Sequence, residues 1–116
     1  MPQSFQDLHA RGNPFNLANA RDIVTARLFA GLGAQALGTW SCAHAFSLGR
    51  SNLGNLTRDE ALAHAQDIVS ATSLPVSGDL ENGFGDAPHV VEETVTLATE
   101  IGLAGISVED MSLPNT

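Results

Sequence analysis

The stretch LPVSGDLENGFGD, residues 74–86, begins as an apolar segment and ends as an acidic, glycine-rich loop. Asp79, Glu81 and Asp86 are packed among Gly78, Gly83 and Gly85 directly behind the apolar pair Pro75-Val76. A buried strand running out into clustered negative charge suits a parallel α/β fold, whose chemistry collects at the carboxyl ends of its strands. A solvated loop has no need of such an arrangement. A metal site does, because crowded carboxylates are costly until a cation or protons neutralise them.

Working outward from this strand, the pattern alternates. Residues 3–11 read as a short helix ended by Gly12-Asn13-Pro14, and residues 15–19 as a strand. Residues 21–32 carry Ile23, Ala26, Arg27, Leu28 and Ala30 at helical spacing, with Gly33 just past the end. Residues 36–40 form a second strand candidate. Thr57 and Glu60 make a capping box that opens a helix running to about Thr72. The third strand is expected over 74–78. Asp86 is placed as the cap of a helix carrying Val90, Val91, Thr94, Leu97, Ala98 and Ile101, closed by Gly102, and 104–108 gives a fourth strand. Strand starts near 15, 36, 74 and 104 are spaced by about 30 residues, the pace of a (β/α)8 TIM barrel of roughly 250 residues. The expected fold class is therefore α/β of TIM-barrel type, with about the first four strands present and residues 1–116 forming the N-terminal half of a single barrel domain.

Composition narrows the function classes. The chain of 116 residues is 43% hydrophobic and 16% charged, the balance of a globular domain. A net charge of −8 with only five Lys and Arg argues against nucleic acid and against an anionic membrane surface. The lone Cys42 makes no internal disulfide, and the start MPQSFQDLHARGNP lacks a basic segment followed by an apolar run. The expected location is cytoplasmic. The most apolar stretch, 23–40, is interrupted by Arg27 and by glycines and is not a membrane span. GLGAQA at 31–36 has dinucleotide-fingerprint spacing, but it follows a helix and precedes a strand, the reverse of the required context.

The strand ends read off as 19–22, 40–44, 79–82 and 109–110, so the acidic residues gather on one rim. An all-oxygen donor set without His or Cys at ligand spacing suits Mg²⁺, which keeps several waters and needs only one or two direct carboxylates. His9, His64 and His89 read as helix-surface residues and His44 as a loop residue.

Three segments carry a family resemblance: PFNLANARDIVTARLFAGLGAQALGTWS (14–41), GDLENGFGD (78–86) and GISVED (105–110). Together they resemble the isocitrate lyase/phosphoenolpyruvate mutase superfamily, and within it the phosphonomutase-like branch. The resemblance implies a (β/α)8 barrel that cleaves or forms a C–C or C–P bond next to a 2-oxo acid, through an enolate, with Mg²⁺ or Mn²⁺. By position, Asp79 resembles the direct metal ligand, and Glu81 and Glu109 the carboxylates that hold metal-bound waters. Ser41 and Cys42 lie where the family's backbone amides and serine hydroxyl bind the substrate carboxylate and oxo group. Gly83 and Gly85 would let the loop turn tightly beside the metal. The implied partner is a small anionic 2-oxo acid or enolpyruvate-type substrate.

Two departures stand beside this match. The family's L-G-x-x-D motif reads LGRSN here, so Asn52 replaces a residue able to act as a base. The isocitrate and methylisocitrate lyases follow the Glu-Asp pair with P-K-[KR]-C-G-H. Here Glu109-Asp110 is followed by MSLPNT, with Asn115 in place of the first Lys and no catalytic cysteine in this chain. Two classes stay open: an enzyme whose N-terminal half-site this chain supplies, and a non-catalytic remnant that folds by pairing with another chain. The first and fourth strands are expected to be open edges. Leu37, Val76, Ile106 and Val108 are expected to point inward, leaving an apolar face that drives homo-oligomer formation.

Overall fold

The computed structural model describes residues 4–51 and 54–112. Among them the elements run α1 (Phe5–Leu8), β1 (Leu17–Ala20), α2 (Ile23–Gly31), β2 (Ala36–Thr39), α3 (Ser41–Ser47), α4 (Arg58–Ala71), β3 (Val76–Asp79), α5 (Pro88–Glu100) and β4 (Gly105–Ser107). The four strands form one parallel sheet in the order β1-β2-β3-β4, with β1 and β4 at its edges. This is the expected α/β fold of TIM-barrel type. The edges stand as expected, while β1 and β3 begin two residues later than the sequence pattern suggested.

Local chemistry fixes the helix ends. Asp22 accepts the Thr25 amide at 2.8 Å and Thr25 Oγ1 accepts the Asp22 amide at 3.0 Å, a capping box that starts α2. Thr57 and Glu60 make the same reciprocal pair at α4. Three helices stop by one device. Gly33, Gly49 and Gly102 adopt φ of +98°, +74° and +94°. The following amide, of Ala34, Arg50 or Leu103, donates back to the carbonyl of Phe29, Ala45 or Ala98. This is the Schellman closure, and it requires the left-handed conformation that glycine adopts without steric cost. The cap of α5 differs from expectation: Ala87 occupies the N-cap without a side-chain bond, and Pro88 opens the helix. Proline's fixed φ organises the first turn by itself, so Asp86 is not used as a cap.

α2, α4 and α5 cover one face of the sheet. Leu37 and Val76 are fully buried there with Ala20, Ala26 and Ile68, and Leu80 packs with Leu62 and Ala98. This corrects the expectation that Leu37 and Val76 face inward. Ile106 also packs with this helix-side core, and Val108 lies beyond β4, half exposed. In-register alternation puts Leu17, Asn19, Ala36, Gly38, Ser77, Asp79, Gly105 and Ser107 on the opposite face, where every side chain but Leu17 is small or polar. Gly38 leaves room there for Asn19, whose Oδ1 lies 2.6 Å from where a Cβ would stand. Phe5 of α1 closes over Gly105 on that same face, and its ring meets those of His9 and Phe15.

Candidate active site

The carboxyl ends of β2, β3 and β4 bring together Ser41, Asp79, Glu81 and Glu109. Ser41 is the first residue of α3, and its Oγ donates to Asp79 Oδ2 at 2.7 Å. The Ser41 amide reaches the same oxygen at 3.4 Å. The other carboxylate oxygen, Oδ1, accepts the Glu81 amide at 3.2 Å, and the Asp79 amide donates to Thr39 Oγ1 at 2.8 Å. The Glu109 amide donates to the Glu81 carbonyl at 2.7 Å, which ties the end of β4 to the β3 loop. Thus β2, β3 and β4 are stitched together just above the sheet.

Glu81 is the unusual member. Its backbone has φ +50° and Phe84 has φ +67°, left-handed conformations that side-chain-bearing residues rarely adopt outside functional turns. The side chain is 2% exposed, and both carboxylate oxygens are buried without a hydrogen-bond partner among the described residues. Burial pushes the carboxyl above its usual range. The nearby Gly54 amide, outside hydrogen-bond geometry, partly offsets this, and the charges of Asp79 and Glu109 push it up further. Unsatisfied buried acceptors are rare and costly, so such a pair is a place where a donor or a cation belongs.

Among the described residues no three His, Cys, Asp or Glu side chains converge closely enough to enclose a metal ion by themselves. The rim carboxylates are therefore looser than the gathered cluster expected from the strand ends. Asp22 is taken up in capping α2. The donor set fits Mg²⁺ in the form that ion favours, one direct carboxylate with waters bridging to others. Asp79 lies at the strand end, with Glu81 unsatisfied behind it and Glu109 exposed above.

A concavity of about 320 Å³ opens on the polar face of the sheet beneath these groups, lined by Asn19, Trp40, Ser77, Asp79, Ser107 and Glu109 among others. A second, of about 510 Å³, lies beside it between the β3–α5 loop and the segment after β4, with Asp86, Glu109 and Asp110 on its wall. Gly83 and Gly85 form the turn of that loop. Side chains at these positions would strike Val91 and Val90 of α5, so glycine is needed for the loop to lie against the helix. Cys42, half-buried, follows Ser41 in the first turn of α3. Asn52 lies outside the described residues.

Sequence reasoning missed α3. His44, expected in a loop, lies in this helix and stacks on His64 of α4, ring centroids 3.9 Å apart and nearly parallel. Burial pushes the His44 imidazole below its usual value, and His64 pushes the same way. His64 in turn bonds the Arg21 carbonyl at 2.6 Å, so it joins α4 to the β1 end rather than lying free on the surface.

The profile of the phosphoenolpyruvate phosphomutase family matches residues 5–116. The chain belongs to this family. A lyase/mutase-type protein from Burkholderia cenocepacia J2315 superposes with a TM-score of 0.89 at 50% identity, covering 94% of this chain and 38% of that one. The phosphoenolpyruvate phosphomutase of Streptomyces platensis superposes with a TM-score of 0.88 at 26% identity, over 95% of this chain and 38% of that one. The 2,3-dimethylmalate lyase of Eubacterium barkeri is 36% identical over 96 residues, 82% of this chain and 33% of that protein. The chain thus spans between a third and two-fifths of the length of these family members. The family comprises lyases and mutases. No helix among the described residues is long and apolar enough to cross a membrane.

Proposed function

We propose that this chain supplies the N-terminal half of a Mg²⁺-dependent lyase or mutase active site. The reaction cleaves or forms a C–C or C–P bond next to a 2-oxo acid, by way of an enolate. The observation that carries this reading is the strand-end constellation of Asp79, fixed by Ser41 at 2.7 Å, in front of a buried and unsatisfied Glu81. Asp79 is the direct ligand in this reading, and Glu81 and Glu109 hold metal-bound waters. Mn²⁺ would serve in place of Mg²⁺. A bound divalent ion supplies Lewis-acid stabilisation of negative charge developing on a 2-oxo oxygen.

The chain's own residues do the rest. Ser41 Oγ donates its proton to Asp79 Oδ2, which holds that carboxylate in one orientation. With the Ser41 amide and hydroxyl both directed at Asp79, the Cys42 amide is the one left in this reading to meet the substrate carboxylate. The acidic rim sets the requirement for a cation, and the cation then recruits an anionic substrate. Relatives whose names specify a phosphomutase and a dimethylmalate lyase support a 2-oxo acid or enolpyruvate-type substrate of either the C–P or the C–C kind.

Calorimetric titration with Mn²⁺ tests the reading. Asp79→Ala should abolish most of the binding, and Glu109→Ala should weaken it less. Equal affinity in wild type and Asp79→Ala would remove Asp79 from the site and the metal-assisted reaction with it.

A further inference from the structure

We propose that Thr39 is a positioning residue that aims the Asp79 carboxylate, an inference that rests on the reading of Asp79 as the metal ligand. The β2–β3 register pairs Leu37 with Val76 and Gly38 with Ser77. One step further on, a side chain takes over from the ladder: Thr39 Oγ1 accepts the Asp79 amide at 2.8 Å. Thr39 is 7% exposed, so water competes poorly for that amide.

The geometry joins two holds on one residue. Thr39 fixes the backbone of Asp79, and Ser41, two positions on, fixes its Oδ2. Both come from the corner where β2 turns into α3. A backbone amide pinned in this way sets the direction of the Cα–Cβ bond, and hence where the carboxylate points. The β-branched side chain of threonine has few rotamers, so its oxygen is held ready without further support. Groups that orient a metal ligand in this way commonly change metal affinity by about 10- to 100-fold when removed.

Thr39→Val keeps the shape of the side chain and deletes the acceptor, whereas Thr39→Ser keeps the acceptor. In Mn²⁺ titrations followed by calorimetry, Thr39→Val should bind about tenfold more weakly than wild type, with Thr39→Ser restoring the affinity. A merely structural role would lower the melting temperature of the metal-free protein and leave the affinity alone. A folded Thr39→Val protein with wild-type affinity overturns the inference. Amide hydrogen exchange of the wild type gives a second reading that does not depend on the variant folding: the Asp79 amide should be protected, and free exchange there also overturns it. Asp79→Ala is titrated alongside. Should it bind Mn²⁺ as well as wild type, the metal reading falls and Thr39's role falls with it. Should Asp79→Ala alone lose affinity, only the Thr39 inference is lost.

Discussion

Replacing Glu81 with Met should stabilise the metal-free protein. The native side chain buries two carboxylate oxygens, and neither has a hydrogen-bond partner among the described residues. Leaving a buried polar group unsatisfied costs about 1–3 kcal/mol, and more when it is charged. Met has nearly the same length, carries no polar oxygen, and is unbranched at Cβ. The left-handed backbone at φ +50° is common to both proteins, so its strain cancels in the comparison. For a chain of 116 residues, 1 kcal/mol corresponds to roughly 4 °C in melting temperature. Glu81→Met should therefore melt about 4–12 °C higher than wild type in EDTA, followed by circular dichroism. Saturating Mn²⁺ should then raise the wild type by more than the variant, since a ligand held at 100 times its dissociation constant stabilises by about 2.7 kcal/mol. A Glu81→Met protein that melts at or below wild type in EDTA would show that the Glu81 oxygens are satisfied in solution, and the case for a cation behind Asp79 would lose its main support.

Three further outcomes are expected. Cys42→Ala should leave substrate affinity unchanged, because the backbone amide survives, while Cys42→Pro, tolerated in the first turn of α3, should abolish it by deleting that amide; loss in Cys42→Ala would make the thiol functional instead. Arg50 bonds both oxygens of Glu60 at 2.6 and 2.8 Å and holds the Glu60 carboxyl down at about 2 from its usual 4.5. A depressed carboxyl contributes stability that is present above 4.5 and lost as pH falls through 2, so Glu60→Gln should flatten the stability profile across that window in acid titrations; an unchanged profile would mean the exposed pair does not hold in solution. At micromolar concentration the chain should self-associate in size exclusion coupled to light scattering, through the edges of β1 and β4 and the exposed Val24 and Leu28 of α2 and Leu32 at its C-cap; a monodisperse monomer would refute this.

Much of this architecture is local, and local chemistry is legible in sequence. Thr57 and Glu60 announce α4 because both halves of a capping box lie within one turn. The Leu-Gly and Ile-Gly steps at 32–33 and 101–102 stop helices because the left-handed closure needs only the residues around it. The same step at Leu48-Gly49 marked the end of α3. That signal went unread because no N-cap side chain and no apolar periodicity accompany a seven-residue helix. Strand ends likewise follow from composition, which places Asp79, Glu81 and Glu109 on one rim from the sequence alone.

Facing and satisfaction were settled only by the tertiary structure. A four-residue strand alternates its side chains, but nothing within it says which face meets the helices. Leu37 and Val76 belong to the helix side, and the opposite face carries small or polar side chains apart from Leu17. Asp86 has the chemistry of a cap, yet Pro88 already fixes the first turn of α5. The stack of His44 on His64, the Ser41–Asp79 bond across 38 positions and the Thr39–Asp79 bond across 40 join residues that no local pattern pairs. The unsatisfied burial of Glu81 is of the same kind: sequence shows a carboxylate in a glycine-rich loop, while only the packing of β4 and α5 around that loop decides whether water can reach it.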